Sequence, residues 1–117
     1  MSVLRRNFVL PVPPSANRYW RVYKGRAVKS EAAKDYQQAA GWDALAQGVE
    51  KMSGAVGIRL TVYRQRKSGD LDNYAKCLLD SLRGIAYDDD KQIVELHLYR
   101  RDDKKNPRVE IEVWEAA

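Results

Sequence analysis

The chain of 117 residues is 44% apolar and 32% charged, which predicts one folded domain over residues 1–117 rather than a disordered chain. No apolar run reaches the about 18 residues of a membrane span, and the first residues lack the apolar segment of a signal peptide. One cysteine and one histidine exclude an internal disulfide framework and a Cys/His zinc site. A cytoplasmic protein with no membrane segment and no nucleotide cofactor is expected.

The formal net charge of +5 is unevenly distributed. Residues 1–30 carry seven basic residues and no acidic one, and residues 51–67 add five more. Six aspartates then lie between positions 70 and 90. Because Lys and Arg contacts to phosphate dominate nucleic-acid affinity, the basic segments favour DNA as a partner. The alternative is a surface of solvated charges with no partner.

The first third of the chain predicts a strand, a basic arm and a helix. Residues 5–10 form the strand, which ends at Pro11 because proline cannot donate a ladder hydrogen bond. Residues 14–29 are an irregular arm or a small hairpin that turns at Lys24-Gly25. The helix covers about 31–47, after Ser30 as its N-cap.

The remaining elements follow from hydrophobic periodicity. Strict alternation over 56–64 predicts a half-buried strand, and helical spacing predicts a second helix over 71–83. Alternating runs around 94–98 and 109–113 predict two last strands, joined as a hairpin through the polar segment 102–107. The order β-α-β-α-β-β indicates an α/β (α+β) domain with a mixed sheet and two main helices.

The residues with the clearest chemical potential flank the second helix. Asp70 and Asp72 stand where a turn meets this helix, and Lys76 follows Asp72 by one helical turn. Asp88, Asp89 and Asp90 crowd the loop after it, which could return to the start of a helix only about 20 Å long. Crowded carboxylates repel one another unless a cation is bound between them.

Oxygen ligands without nearby His or Cys select a hard ion, Mg²⁺ or Mn²⁺. Such an ion assists phosphodiester hydrolysis, and Lys76 could offset charge on the phosphate oxygens. Each group also has a structural alternative. Asp70 or Asp72 could be a helix N-cap, Asp88–Asp90 a solvated turn, and Lys76 a surface partner of Asp72 or Asp80.

Aromatic residues interleave with basic ones in the arm. Tyr19, Trp20 and Tyr23 could stack on bases, or could pack the arm onto the domain, an alternative favoured for Trp20. The other singular residues have structural interpretations: a sheet position for His97, a core thiol for Cys77, a surface or ion-pairing role for Asp80 and Arg83, and core or interface anchors for Trp42 and Trp114.

The sequence resembles the RusA family of Holliday junction resolvases in three motifs. The segment Pro13-Pro14-Ser15-Ala16-Asn17-Arg18-Tyr19 is similar to the family's PPSxNxxY opening. Asp70-Leu71-Asp72-Asn73 with Lys76 is similar to its DLDNxxK, and Asp89-Asp90-Lys91-Gln92-Ile93 to its DDxQV/I. Their order and spacing extend the resemblance over nearly the whole chain.

The resemblance implies a structure-selective endodeoxyribonuclease that depends on Mg²⁺, with Mn²⁺ as a possible substitute. It acts as a homodimer, nicks two opposing strands of four-way junction DNA in recombination and repair, and is bacterial or phage-encoded, often by a prophage. Asp70, Asp72 and Asp90 would bind the metal, Lys76 would be the catalytic lysine, and Asn73 and Asp89 would support them. Which of Asp89 and Asp90 is the primary ligand stays open.

A C₂ dimer also suits the pseudo-twofold symmetry of a four-way junction. The basic segments 1–30 and 59–67 are expected to contact the DNA arms through shape and backbone. The expected DNA contacts are Asn17, Arg18, Tyr19, Arg21, Lys24, Arg26, Arg64, Arg66 and Lys67. Two other functions remain: a non-catalytic nucleic-acid-binding module (a degenerate resolvase), and a regulatory protein that binds an acidic protein partner.

Overall fold

A computed structural model describes residues 4–14, 16–64 and 71–116, except the side chains of residues 16 and 17. The chain runs β1 (Arg5–Leu10), α1 (Ala16–Tyr19), β2 (Trp20–Tyr23), β3 (Arg26–Lys29), α2 (Glu31–Ala46), β4 (Val56–Arg64), α3 (Leu71–Leu82), a short 3₁₀ helix (Asp90–Gln92), β5 (Ile93–Asp102) and β6 (Arg108–Glu115). This arrangement confirms the predicted α+β class.

Four strands form one mixed sheet in the order β1-β6-β4-β5. β4 pairs parallel with β5 and antiparallel with β6, and β1 pairs antiparallel with β6. The predicted hairpin between the last two strands is therefore wrong, because β4 lies between them. β4 takes the centre since it is the strand most deeply buried along its length, whereas β5 is mostly exposed.

Alternation along β4 divides the sheet into a covered and an open face. Ile58, Leu60 and Val62 are buried on the face that α2 and α3 cover. Their neighbours Arg59 and Thr61 point to the opposite face, which borders a shallow cavity of about 560 Å³. The molecule therefore has two layers, with the core between the sheet and the helices. Phe8, Leu10, Tyr36, Ala40, Leu78, Leu82, Val109, Ile111 and Val113 complete much of that core.

Helix α2 begins and ends as the sequence predicts. The Ser30 hydroxyl accepts a hydrogen bond from the Ala33 amide at 3.1 Å, which satisfies one of the free amides at the helix start. After Ala46, the side chain of Gln47 reaches β1 and bonds both the amide and the carbonyl of Val9, at 2.9 and 2.7 Å. Gln47 thus occupies part of the outer edge of β1.

Strands β2 and β3 form the small hairpin that was one of the two predictions for the arm. Its turn places Lys24 at a φ of 51° and Gly25 at 74°. Two successive positive φ values define a tight hairpin turn whose twist matches that of the strands, and glycine adopts such values readily. In the part of the chain that is described, no helix is long and apolar enough to span a membrane.

Candidate active site

Helix α3 presents Asp72 and Lys76 on its exposed side. The helix begins at Leu71, so Asp72 lies within its first turn rather than at the N-cap, and Lys76 follows one turn later. Both side chains are exposed, whereas Ala75, Cys77, Leu78, Ser81 and Leu82 are buried. Within residues 4–14, 16–64 and 71–116, neither Asp72 nor Lys76 forms an ion pair. The alternative that Lys76 pairs with Asp72 or Asp80 is therefore not observed.

The three aspartates after α3 have different environments. Asp89 caps the 3₁₀ helix, since its carboxylate accepts a hydrogen bond from the Lys91 amide at 2.9 Å. The side-chain oxygen of Gln92 accepts in return from the amides of Asp88 and Asp89, at 2.7 and 2.9 Å. Asp88 forms an ion pair with Lys51 at 3.0 Å. Asp89 is thus committed to a helix cap and Asp88 to an ion pair.

Gln92 fixes this loop to the segment before β4. Its side-chain amide nitrogen donates to the carbonyl of Met52 at 2.7 Å and to that of Gly54 at 2.8 Å. Together with its two accepted bonds, Gln92 uses both donors and both lone pairs of its amide group. Gln92 and the Asp89 cap together hold the backbone that carries Asp90.

Asp90 lies next to the end of α3. Its carboxylate is 3.5 Å from a guanidinium nitrogen of Arg83, and the other terminal nitrogen of Arg83 is 2.8 Å from Asp80. The chain returns to the helix because the Tyr87 hydroxyl donates to the Leu79 carbonyl at 2.7 Å. The acidic loop thus meets α3 near Arg83, about 16 Å of helical rise beyond Asp72. The expected return to the start of the helix is therefore not observed, because the loop contacts the end of the helix instead.

Asp80 forms ion pairs with Lys29 and Arg83, as its predicted ion-pairing role requires, and it is also the centre of a hydrogen-bond network that the sequence did not predict. It accepts hydrogen bonds from the Tyr19 hydroxyl at 2.9 Å and the Gln37 amide at 2.6 Å, and it pairs with Lys29 at 2.8 Å. Burial alone would raise its pKa, but the bonds from Lys29 and Tyr19 and the charges of Lys29 and Arg83 lower it. These partners are far away in the sequence, so no local pattern could have revealed the network.

Tyr19 and Arg64 do not match the DNA-contact role expected for them. Tyr19 is fully buried, and burial followed by its bond to Asp80 raises its pKa. Arg64 is buried with its guanidinium on Asp102, at 2.9 and 3.2 Å. The structure thus gives both residues internal contacts instead of exposure to DNA.

Four of the expected DNA contacts are exposed on α1 and the hairpin. Arg18 lies at the end of α1, and the hairpin carries the other three. Trp20 and Tyr23 are exposed beside them, contrary to the packing favoured for Trp20. The predictions for Asp70, Arg66, Lys67 and the Asn17 side chain lie outside the described residues. The four expected DNA contacts that are exposed are Arg18, Arg21, Lys24 and Arg26.

The remaining singular residues have mostly the interpretations predicted. Cys77 is buried, and burial followed by the charge of Asp80 raises its pKa to about 11, so its thiol stays protonated and unreactive. His97 is an exposed residue of β5, beside Trp114. Trp42 is exposed and does not belong to the core.

The donor chemistry of the site suits a hard divalent ion, since Asp72 and Asp90 both offer exposed carboxylate oxygens. Among the described residues, no group of three His, Cys, Asp or Glu side chains lies close enough to hold a metal ion. Asp70, the third candidate ligand, lies outside the described residues. The described geometry therefore provides two candidate ligands, at opposite ends of α3.

Comparison with known proteins identifies related chains over almost the whole length. The family model for endodeoxyribonuclease RusA matches residues 11–114. The crossover junction endodeoxyribonucleases RusA of Escherichia coli (strain K12) and of Enterobacteria phage 82 are each 28% identical, with 93% of both chains covered. The protein of the same name from Shigella sonnei is 27% identical over the same share.

Proposed function

Because the chain belongs to the endodeoxyribonuclease RusA family, we propose that it is a hydrolase that resolves four-way DNA junctions by paired nicks in recombination and repair. The relatives named crossover junction endodeoxyribonuclease RusA support this activity. The observation that carries the proposal is the exposure of Asp72 and Lys76, one turn apart on α3 and within the matched region. Its bacterial and phage relatives also support a cytoplasmic setting and a bacterial or phage gene.

Asp70 and Asp72 would hold the metal ion at the start of α3, and Mg²⁺ or Mn²⁺ fits their oxygen donors. Asp90, whose loop contacts the other end of the helix, would complete the ligand set only in a conformation that brings this loop toward Asp72. The ion, when bound, supplies Lewis-acid stabilisation of the phosphoryl group. Lys76, one turn from Asp72, would stabilise negative charge on the phosphate oxygens in the transition state. Asn73, next to Asp72, would support this group.

Asp90 is a better candidate ligand than Asp89. The Asp89 carboxylate caps the 3₁₀ helix, so using it as a ligand would sacrifice the cap that shapes the loop. Asp90 is exposed and engaged by Arg83 at 3.5 Å, a contact long enough to yield to a divalent ion. Asp89 would therefore support the site by holding the loop.

Asp72→Asn should abolish junction cleavage and leave junction binding intact or stronger, because it removes a metal ligand and a negative charge near the DNA. Gel-shift titration in EDTA measures binding, and digestion of a synthetic four-way junction in Mg²⁺ measures cleavage. Asp88→Asn is the matched control, since it removes the same charge from an acid paired with Lys51 and should keep cleavage. Loss of binding together with cleavage in Asp72→Asn would identify Asp72 as a structural residue.

Lys76→Ala should lower the nicking rate by at least about a hundredfold with little change in junction affinity, since its charge acts on the transition state. Single-turnover cleavage at saturating enzyme isolates this rate. Lys34→Ala, another exposed helical lysine, provides the control. An unchanged nicking rate in Lys76→Ala would remove Lys76 from the mechanism.

A second candidate function is a non-catalytic junction-binding module. It is favoured by the structural engagement of Asp88 and Asp89, which leaves Asp90 as the loop's one acid outside the cap and the Lys51 pair. Incubation with a four-way junction, a linear duplex and a single strand, with and without Mg²⁺, separates the two. Binding without Mg²⁺-dependent nicking supports the module. A regulatory protein for an acidic partner would show no salt-sensitive DNA retention.

A further inference from the structure

The parallel pairing of β4 and β5 determines which end of the main sheet Asp72 lies toward. Arg64 at the end of β4 pairs in register with Asp102 at the end of β5, so both strands finish at one end, here called the carboxyl end of the sheet. The last turn of α3 is at the opposite end, because Tyr87, soon after the helix, bridges to Met52, just before β4. Asp72, in the first turn, therefore lies toward the carboxyl end. Ligands of sheets with parallel strands bind outside the carboxyl ends of those strands.

β5 carries a cation to the same end of the sheet, on the face that α3 covers. Arg100 pairs in register with Val62, which is buried on that face, so the two side chains point the same way. Arg100 is nonetheless exposed, because β5 is an edge strand. It forms no ion pair with any residue that the structure describes. Its guanidinium is thus available to an anion on the α3 side of the carboxyl end.

The turn between β5 and β6 is a defined structure at this end. The Asp103 amide donates to the Arg64 carbonyl at 2.8 Å, which fixes the turn to the end of β4. The Asp103 carboxylate accepts from the amides of Lys105 and Asn106 at 3.2 and 3.1 Å. It also pairs with Arg108 at 3.0 Å. The backbone of the turn is therefore held by several bonds that converge on one carboxylate.

The acids of this turn are neutralised by neighbouring arginines, whereas its lysines are not paired. Asp102 pairs with Arg64 at 2.9 Å, and Asp103 has the contacts given above. Lys104 and Lys105 are exposed, and neither forms an ion pair in the described part of the chain. Together with the arginine of β5, they place positive charge that has no acidic partner at the carboxyl end of the sheet.

We infer that Arg100, Lys104 and Lys105 form a phosphate-binding surface, here called the carboxyl-end surface, which positions the DNA strand to be cut at Asp72. The inference rests on the proposed function and deepens it, since it says where the DNA backbone lies relative to the candidate active site. Lys and Arg contacts to phosphate fix the register and orientation of a protein on DNA without reading its bases.

The carboxyl-end surface is separate from the β2–β3 hairpin along α3. Lys29, the last residue of β3, pairs with Asp80, which is two helical turns beyond Asp72. The carboxyl-end surface instead lies toward the start of the helix. Two cationic contacts at different places along one helix set the direction in which a strand crosses Asp72, which a single contact would not. The carboxyl-end surface is therefore expected to affect the rate of nicking as well as affinity.

Removal of charge tests the surface against a matched control. Replacement of all three cations of the carboxyl-end surface by Ala should reduce the slope of log junction affinity against log salt by about 2–3, measured in EDTA. The control variant replaces Lys34, Lys51 and Arg101, all exposed, and removes the same charge. Arg101 is the closest match, because it follows Arg100 in β5 and points to the opposite face of the sheet. Equal slopes in the two triple variants would overturn the inference.

The nicking rate at saturating enzyme tests the positioning role, because weaker binding no longer limits this rate. The carboxyl-end triple variant should nick at least about tenfold more slowly, since a reacting phosphate that is misplaced costs rate even when it is bound. The control triple should nick at the unmodified rate. The charge-conserving variant Arg100→Lys with Lys104→Arg and Lys105→Arg should recover most of the rate and the full salt slope. A carboxyl-end triple that nicks at the unmodified rate would overturn the positioning role.

A photo-cross-link tests the contact without removing three charges. Cys77 is buried, so a thiol-reactive aryl azide should label an introduced surface cysteine. Lys105→Cys with this label should cross-link to a four-way junction on illumination in EDTA, whereas the equally exposed Lys34→Cys should not. Cross-linking at position 34 and not at 105 would contradict the proposed surface.

Junction cleavage by the unmodified protein in Mg²⁺ separates this inference from the proposed function. If junctions are cut while the two triple variants behave alike, the carboxyl-end surface is wrong and the nuclease stands. If the salt slopes and the cross-link hold while no junction is cut, the nuclease proposal fails and the surface stands as part of a binding module. A protein that retains no junction even at low salt would overturn both.

Discussion

The carboxylate of Asp80 is the residue-scale link between the N-terminal arm and the candidate site. It accepts a hydrogen bond from Tyr19 and forms ion pairs with Lys29, on the arm side, and with Arg83, at the end of α3. Arg83 also contacts Asp90. A side chain classed from the sequence as an ordinary surface or ion-pairing residue thus connects the arm to the acidic loop. We expect substitution of Asp80 to lower the stability of the fold more than it lowers the rate of junction cleavage.

Asp80→Asn should lower the free energy of unfolding by about 1–3 kcal/mol at neutral pH, because Lys29 and Arg83 lose their charged partner. The pKa of Asp80 is lowered in the folded state, so its stabilisation is present above the unfolded pKa and is lost as pH falls through the folded value. Thermal unfolding of both proteins from about pH 7 to 2.5 should show a difference that is full at about pH 6 and shrinks below about pH 4. A difference that grows with acid would contradict this sign.

Gly57 is the residue at which β4 accommodates Trp114. A Cβ atom at this position would collide with the indole ring of Trp114. Gly57→Ala should therefore lower the free energy of unfolding by about 1–3 kcal/mol, through displacement of the ring. Gly54→Ala is the control, because a Cβ there meets nothing within 4 Å. Equal urea midpoints for the two variants would show that the ring moves without cost.

At the scale of elements, the hairpin of β2 and β3 carries three of the residues expected from the sequence to contact DNA. It exposes Arg21, Lys24 and Arg26, and its turn is tight, so the three cations are carried on a defined backbone rather than on a loose arm. Phosphate contacts from such a hairpin would add to affinity without reading sequence.

Replacement of Arg21, Lys24 and Arg26 by Ala should weaken junction binding and reduce the slope of log affinity against log salt by about 2–3, or about one unit for each phosphate that the variant no longer neutralises. A triple replacement of Lys34, Lys51 and Arg101, all exposed, removes the same charge elsewhere. Binding titrations over about 50 to 300 mM salt measure both slopes. Equal slopes in the two triple variants would show that the hairpin makes no specific contribution.

Most elements could be predicted from the sequence because each depends on its own periodicity. The alternation of β4 and the helical spacing of α3 gave bounds that the structure confirms to within one residue. Which strands β5 and β6 pair with could not be predicted in this way. Strands that follow one another in the chain usually pair, but here β4, the most deeply buried strand, lies between β5 and β6 and pairs with both.

The candidate site was predictable only in part, for the same reason. The positions of Asp72 and Lys76 on one face of α3 follow from their spacing. The different contacts of Asp88, Asp89 and Asp90 could not be predicted from spacing. They depend on Gln92, Lys51 and the backbone at 52–54, which are brought to the loop only by the tertiary structure. Burial of Tyr19 and Arg64 likewise depends on Asp80 and Asp102, tens of residues away.

At the scale of the whole molecule, the order β1-β6-β4-β5 joins the two ends of the described chain. Leu10 pairs with Val109 and Arg5 with Trp114, and β6 is also the antiparallel partner of β4. During synthesis on the ribosome, β1 and one side of β4 therefore stay unpaired until β6 has been translated. Pairing across so much sequence also makes loop closure slow. A nascent chain that stalls before Arg108 would expose two apolar strands without the strand that pairs with both, and chaperones and proteases would bind it until β6 emerges.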